Sequence, residues 1–198
     1  MSTYHTIERP APAGAPLFFT FHGTGGDETQ FFDLAQGLMP SAHVIALRGD
    51  VSEHGALRFF KRKAEGVYDM EDLGLRTTAM AEFVAEQKAK SKATRVVGLG
   101  YSNGANILAS VVMAHPQLFT DAILMHPLIP WKPIDFVGVP KTRVLITAGK
   151  RDPICPVPLT QHLASYFRGQ GATTELVWHE GGHDLRQVEI DAAKAFLA

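Results

Sequence analysis

Short apolar runs alternate with helix-forming stretches along most of this chain, and that alternation restricts what it can fold into. Most of the runs are almost wholly apolar, and they lie at residues 17–22, 43–47, 96–99, 122–125, 144–148 and 174–178. Stretches with helical pattern lie at residues 73–90, 103–115, 159–167 and 184–197. Strands that are apolar on both faces and separated by helices predict a mostly parallel sheet covered on both sides. The expected fold class is α/β, a three-layer α/β/α sandwich.

Length, charge and cysteine content narrow the class of protein further. A chain of 198 residues fits one domain over 1–198, with residues 1–16 as an extended N-terminal segment. The formal net charge of −1 gives no field that would attract nucleic acid or an anionic membrane, so neither partner is expected. No apolar run is long enough for a membrane span, and no secretory signal is expected. A single cysteine, Cys155, excludes an internal disulfide and predicts a cytoplasmic protein.

One pentapeptide predicts chemistry. Gly100-Tyr101-Ser102-Asn103-Gly104 follows an apolar run and precedes a helical one, and G-x-S-x-G at such a junction is typical of a nucleophile elbow. The flanking glycines allow a sharp turn that exposes the serine hydroxyl near the positive end of the following helix. Because so short a pattern also arises by chance, it indicates a nucleophile only if a base, an acid and an oxyanion hole are found elsewhere in the chain.

Candidate partners follow other predicted strands, where the carboxyl ends of parallel strands collect ligands and catalytic groups. Asp152 follows the fifth run and His183 follows the sixth. The chain order Ser, Asp, His is that of the α/β-hydrolases. Ser102 is the expected nucleophile, His183 the base and Asp152 the acid that orients it. Of the competing acids, Asp184 is expected to cap the last helix, and Asp121 precedes its strand and so lies at the wrong end.

Two other motifs compete with this interpretation. His179-Glu180-Gly181-Gly182-His183 matches the zinc-protease pattern H-E-x-x-H, which would make the chain a zinc hydrolase. That pattern requires a helix, and two central glycines after a strand-like run disfavour one. Gly98 to Gly104 faintly resembles a dinucleotide fingerprint, but Asn103 stands where its third glycine belongs. No metal and no cofactor are therefore expected, and Cys155 is expected to be a small packing residue beside the acid loop.

With these motifs, and with His22-Gly23-Thr24-Gly25-Gly26-Asp27 after the first run, the chain resembles the phospholipase/carboxylesterase family of α/β-hydrolases. The resemblance runs from about residue 17 to the C-terminus. Arg58 to Arg62, followed by Glu65-Gly66, resembles the branch of hydrolases linked to hydroquinone resistance. Membership implies a minimal α/β-hydrolase fold without a cap domain, and it suggests a homodimer.

The resemblance also implies an oxyanion hole and a substrate pocket. The oxyanion donors would be the backbone N–H groups of Thr24 and Asn103, with His22 shaping their loop. Without a cap, the pocket must come from loops, including residues 50–72, which show no clear period and are predicted to form a long functional loop. The candidate substrate-binding residues are His22, Phe59, Phe60, Trp131 and Ile154. Arg58, Lys61 or Arg62 could steer an anionic group.

The function predicted from these residues is a serine carboxylesterase acting on a small-molecule ester through an acyl-enzyme on Ser102. Alternatives that remain open are a thioesterase or a lysophospholipase on the same triad, a zinc hydrolase built on His179 and His183, and a binding module that keeps the fold without turnover.

Overall fold

The strands of the computed structural model, which describes residues 4–135 and 142–198, form one large sheet and two small hairpins. The first three residues of the expected N-terminal segment lie outside the described residues. The described strands, in chain order, are β1 (Thr6–Arg9), β2 (Leu17–Phe21), β3 (His43–Leu47), β4 (Val51–Glu53), β5 (Ala56–Arg58), β6 (Arg62–Ala64), β7 (Val67–Tyr68), β8 (Val96–Tyr101), β9 (Asp121–Met125), β10 (Arg143–Gly149) and β11 (Thr173–His179).

Seven of these strands form the sheet in the order β1-β3-β2-β8-β9-β10-β11. Neighbours are parallel except for β1, which pairs antiparallel with β3. The six predicted runs thus become six parallel strands, each shifted by at most two residues at an end. The edge strand β1 lies within the segment 1–16, which was expected to be extended, and it adds the pairing with β3.

The helices cover both faces of the sheet. They are α1 (Phe32–Leu38), α2 (Met70–Ser91), α3 (Asn103–Ala114), α4 (Val157–Gly169) and α5 (Gln187–Leu197). Successive side chains of β2 point to opposite sides, since Phe18 belongs to the cluster that contains Phe196 of α5, whereas Phe19 packs edge-on against Phe83 of α2. This confirms the α/β/α sandwich, and no cap domain is inserted in the described part of the chain.

Local capping explains where two helices start. α2 begins at Met70 because the Asp69 side chain accepts a hydrogen bond from the backbone N–H of Asp72. α5 begins at Gln187, later than predicted, because the Glu189 side chain accepts from the backbone N–H of Arg186. The expectation that Asp184 caps this helix is wrong. In the described ranges, no helix combines the length and the apolar character that a bilayer span requires.

Residues 51–68 form two consecutive antiparallel hairpins, β4–β5 and β6–β7, here called the double hairpin. The prediction of a long loop without period over 50–72 is therefore corrected. The first turn is made by His54 and Gly55, both with positive φ (52° and 92°), as a tight hairpin requires. Between the hairpins, Phe59 and Phe60 are buried beneath this excursion.

Candidate active site

Ser102 occupies the junction between β8 and α3, with φ 51° and ψ −116°. Positive φ is strained for a residue with a side chain and persists only where the surroundings fix it. Here the backbone N–H of Ser102 donates to the Met125 carbonyl of the neighbouring strand at 2.9 Å. A Cβ at Gly100 would lie 2.5 Å from the Gly104 carbonyl oxygen, so the glycines allow the tight turn. The predicted elbow geometry is present.

The three predicted triad residues form one hydrogen-bonded chain. His183 Nε2 lies 2.9 Å from Ser102 Oγ, and His183 Nδ1 lies 2.7 Å from Asp152 Oδ2. Tyr101 donates from its hydroxyl to the His183 carbonyl at 2.7 Å, which holds the histidine loop over the elbow. Since a carboxylate can only accept, His183 carries its proton on Nδ1 and presents the Nε2 lone pair to the serine.

Asp152 is buried, and all its hydrogen bonds favour the ionised form. Oδ1 accepts from the backbone N–H groups of Ile154 (2.8 Å) and Cys155 (3.0 Å), while Oδ2 accepts from His183 and from His126, both at 2.7 Å. Burial alone would raise the pKa of Asp152, but the two histidines and the two backbone donors hold that pKa below its usual range. The acid therefore stays charged at neutral pH.

Cys155 packs beside the acid loop. Its Sγ donates to the His126 carbonyl at 3.2 Å, and burial, reinforced by the nearby Asp152 charge, raises the pKa of the thiol. A thiol held protonated in this way is a poor nucleophile.

The loop that contains Thr24 is fixed from two sides. His22 accepts from the backbone N–H of Gly49 at Nε2 (2.8 Å), so its proton is on Nδ1, which donates to the Gly23 carbonyl at 2.7 Å. Burial lowers the pKa of His22, so it stays neutral. From the double hairpin, Arg58 donates to Thr24 Oγ1 at 2.7 Å.

A cavity of about 280 Å³ opens beside the serine, and Thr24 and Asn103 line it together with Ser102 and His183. Asn103 Oδ1 accepts from the backbone N–H of Phe59 at 2.7 Å, whereas its buried Nδ2 has no partner within the described residues. The remaining lining residues are Arg58, Arg62, Glu65, Gly66, Tyr68, Tyr101, Asn106, Leu128, Ile154 and Cys155.

Only one of the five predicted substrate-binding residues reaches this cavity. Ile154 lines it, but His22, Phe59 and Phe60 are buried away from it, at 2%, 1% and 0% exposure. Trp131 stacks edge-on against Tyr68 and lines separate surface grooves. The double hairpin contributes Arg58, Arg62, Glu65 and Tyr68 to the cavity wall, so charged side chains lie beside the tyrosines and apolar residues there.

His179 and His183 do not share a helix face, as the zinc motif would require. His179 ends β11 and points into the protein, where Nε2 lies 3.3 Å from Glu189 Oε2 and 3.4 Å from His126 Nε2. His126 and Glu189 were missed in the sequence. The available signal was that His126 directly follows a predicted strand, at the sheet edge where Ser102, Asp152 and His183 also lie.

Two groups of side chains that share His126 lie close enough to surround one ion: His126 with His179 and Glu189, and His126 with Asp152 and His183. Hydrogen bonds already occupy their lone pairs. The Gly181 N–H donates to His179 Nδ1 at 2.9 Å, so a neutral His179 carries its proton on Nε2. That nitrogen then has no lone pair with which to bind a metal ion. The arrangement fits a hydrogen-bond network better than a metal centre.

The fold and the site together place the chain among the α/β-hydrolases. Ser102 lies at a strand-to-helix elbow, and Asp152 and His183 follow later strands of the same parallel sheet. A family model described as "Dienelactone hydrolase family" matches residues 59–187. The chain belongs to this family, and the expected placement among α/β-hydrolases with esterase relatives is confirmed.

Relatives and solved structures agree with that assignment. The chain is 40% identical to the Bacillus subtilis (strain 168) protein named "Putative hydrolase MhqD", over 90% of each chain. It superposes on the Agrobacterium tumefaciens protein Atu2452, whose function is unknown, with a TM-score of 0.94 and 55% identity over 98% of this chain and 95% of that one. A Bacillus cereus carboxylesterase matches with a TM-score of 0.92 and 34% identity, covering 99% of this chain and 94% of that one.

Proposed function

We propose that this protein is a serine esterase that cleaves small carboxylic esters through an acyl-enzyme on Ser102. The observation that carries the proposal is the unbroken chain Ser102–His183–Asp152, with contacts of 2.9 and 2.7 Å, at the wall of a cavity large enough for a small substrate. The similarity to a Bacillus cereus carboxylesterase supports it.

In the proposed reaction, His183 Nε2 takes the Ser102 proton as Oγ attacks the ester carbonyl carbon. Collapse of the tetrahedral intermediate breaks the bond to the leaving alkoxide, which receives the proton from His183. Water, deprotonated by the same nitrogen, then attacks the acyl carbon. Collapse of this second tetrahedral intermediate breaks the bond to Ser102 Oγ, which receives the proton back from His183 as the acid is released. Asp152 stabilises the imidazolium during both steps while remaining ionised.

The negative oxygen of each tetrahedral intermediate needs donors placed in advance. The backbone N–H groups of Thr24 and Asn103 are the proposed pair, because both residues line the cavity next to Ser102. Loss of one such donor typically costs about 3 kcal/mol of transition-state stabilisation. The Arg58 contact to Thr24 helps to hold one donor in place.

A fluorophosphonate probe should label wild-type protein at Ser102, because the activated hydroxyl attacks phosphorus as it attacks a carbonyl. Labelling is expected to disappear in Ser102→Ala and to fall by about 10³-fold or more in His183→Ala. Mass spectrometry of the tryptic adduct locates the site. Labelling elsewhere would contradict the proposal. Ester hydrolysis that survives Ser102→Ala and is lost with a chelator would also contradict it and would favour a zinc hydrolase. An absence of all turnover would favour a binding module.

Acyl-chain length should limit activity, because the cavity measures only about 280 Å³. We expect kcat/KM for p-nitrophenyl acetate or butyrate to exceed that for the decanoate at least about tenfold, because a cavity of this size cannot hold the longer chain. Initial rates across the ester series test this, with butyryl-CoA as the matched thioester. A preference for long chains would contradict the small-ester proposal, and faster thioester cleavage would make the protein a thioesterase.

A further inference from the structure

His126 lies behind the triad, wholly buried, with one ring nitrogen on each of two carboxylates. Nδ1 is 2.7 Å from Asp152 Oδ2, and Nε2 is 3.1 Å from Glu189 Oε1. All three side chains are 0% exposed. His126 directly follows β9 with φ 51°, a strained backbone that its surroundings must hold in place. The proton relay proposed above does not use this residue.

The hydrogen bonds around Glu189 show which group carries the proton. Oε1 accepts from the Thr147 hydroxyl at 2.5 Å, and Oε2 accepts from the backbone N–H of Arg186 at 2.8 Å. His179 Nε2 carries a proton, because Gly181 N–H occupies Nδ1, and it lies 3.3 Å from Oε2 and 3.4 Å from His126 Nε2. Of these two neighbours, the charged carboxylate oxygen is the stronger acceptor. A carboxylate surrounded by donors is stabilised in its ionised form. Facing Glu189 and Asp152, both acceptors, His126 must therefore donate from both nitrogens.

Both nitrogens of an imidazole donate only when the ring is protonated. The titratable groups that face His126 are Asp152, Glu189, His179, His183, Tyr101 and Cys155. Burial alone would lower the pKa of His126, but the hydrogen bonds to Glu189 and Asp152 outweigh burial and raise that pKa.

We propose that His126 is a positively charged positioning residue, held between Glu189 and Asp152, that fixes Asp152 toward His183 and sets the pH at which the triad becomes active. The second half rests on the proposed esterase function. Together, Glu189, His126 and Asp152 carry one net negative charge, as a lone acid would. His126 thus orients Asp152 without changing the net charge that His183 experiences.

The first test reads protonation directly and needs no activity. In ¹⁵N NMR spectra, with the ring signals assigned through bonds to the His126 backbone of the wild-type protein, both His126 nitrogens should be protonated at pH 7, where an ordinary histidine is mostly neutral. In Glu189→Gln, the ring is expected to lose its Nε2 proton at that pH. A neutral His126 ring at pH 7 in the wild type would overturn the proposal, even if His126→Asn fails to fold or the protein hydrolyses no ester.

The second test uses the pH dependence of kcat/KM, which falls on the acid side as the base becomes protonated. His126→Asn keeps a donor toward Asp152 but removes the positive charge, so protonation of His183 becomes easier. The half-maximal pH of the acid limb should rise by roughly one unit. His126→Asn/Glu189→Gln restores the net charge and should return the limb to within about 0.3 units of wild type.

If the second core substitution restores the acid limb, the effect of His126→Asn comes from charge. A purely structural role of His126 would instead predict a further loss of activity in the double variant. His162→Asn, the same change at an exposed position of α4, is the matched control and should leave the limb unmoved. An unshifted limb in His126→Asn, or a shift that the double variant does not reverse, would overturn the proposal. Failure of the wild type to hydrolyse any ester would overturn the proposed function instead, and the NMR result would then stand alone.

Discussion

Asp152→Asn is expected to lower kcat by about 10⁴-fold, the size of effect seen when a triad acid becomes an amide. Oδ1 accepts from two backbone N–H groups, so the amide oxygen must occupy that side. The NH₂ group then faces His183 Nδ1 and His126 Nδ1. His183 would have to place its proton on Nε2, where it faces Ser102 and cannot remove the serine proton.

Rates at saturating p-nitrophenyl butyrate give kcat for each variant, and thermal melts followed by circular dichroism show whether the fold is retained. Asp184→Asn is the matched control, because Asp184 adjoins His183 in sequence but is 62% exposed and pairs with Arg186. Its kcat should remain within about twofold of wild type, as for most surface changes. Comparable losses in both variants would show that Asp152 does not have the assigned role.

Gly104→Ala is expected to destabilise the protein by about 3 kcal/mol, the upper end for overpacking, and to lower Tm by roughly 6–12 °C. An added Cβ would lie 2.2 Å from the Phe21 carbonyl oxygen and 2.5 Å from that of His22. These are backbone atoms of and just after β2, so no side chain can move aside. α3 must shift, and with it the elbow that carries Ser102.

Gly74→Ala is the matched control, a helical glycine changed in the same way. Gly74 lies exposed in α2, with nothing within 4 Å of an added Cβ. Alanine there should raise Tm by roughly 2 °C, because it favours the helix and restricts the unfolded chain. Thermal melts of both variants decide the matter, and a Gly104→Ala protein as stable as wild type would contradict the close contact between α3 and β2.

The sequence was most informative where local pattern and sheet geometry coincide. β8 and β10 could be predicted because they are buried on both faces. β11 is a partly exposed edge strand, and the apolar run at residues 176–178 indicated it. The carboxyl-end rule then brings Ser102, Asp152 and His183 together. By contrast, β1 is only four residues long and partly exposed, so its sequence has little strand signal. Its position depends on pairing with β3, a tertiary contact.

Side-chain roles were harder to predict than positions. Phe59 and Phe60 were expected in the pocket because aromatic residues suit apolar substrates, but burial in the core satisfies the same preference. His126 and Glu189 are 63 positions apart in sequence and meet only through the packing of α5 under the sheet edge. A buried ion pair of this kind has no local motif.

The double hairpin and the proposed catalytic residues lie on different parts of the fold. Residues of the double hairpin, including Arg62, Glu65 and Tyr68, line the cavity, whereas Ser102, His183 and Asp152 are carried by the sheet and its other loops. Exchange of this segment with that of a relative could therefore change selectivity in one step. Arg58 limits such grafts, because it donates to Thr24, and a replacement segment must also support the loop that contains this proposed oxyanion donor.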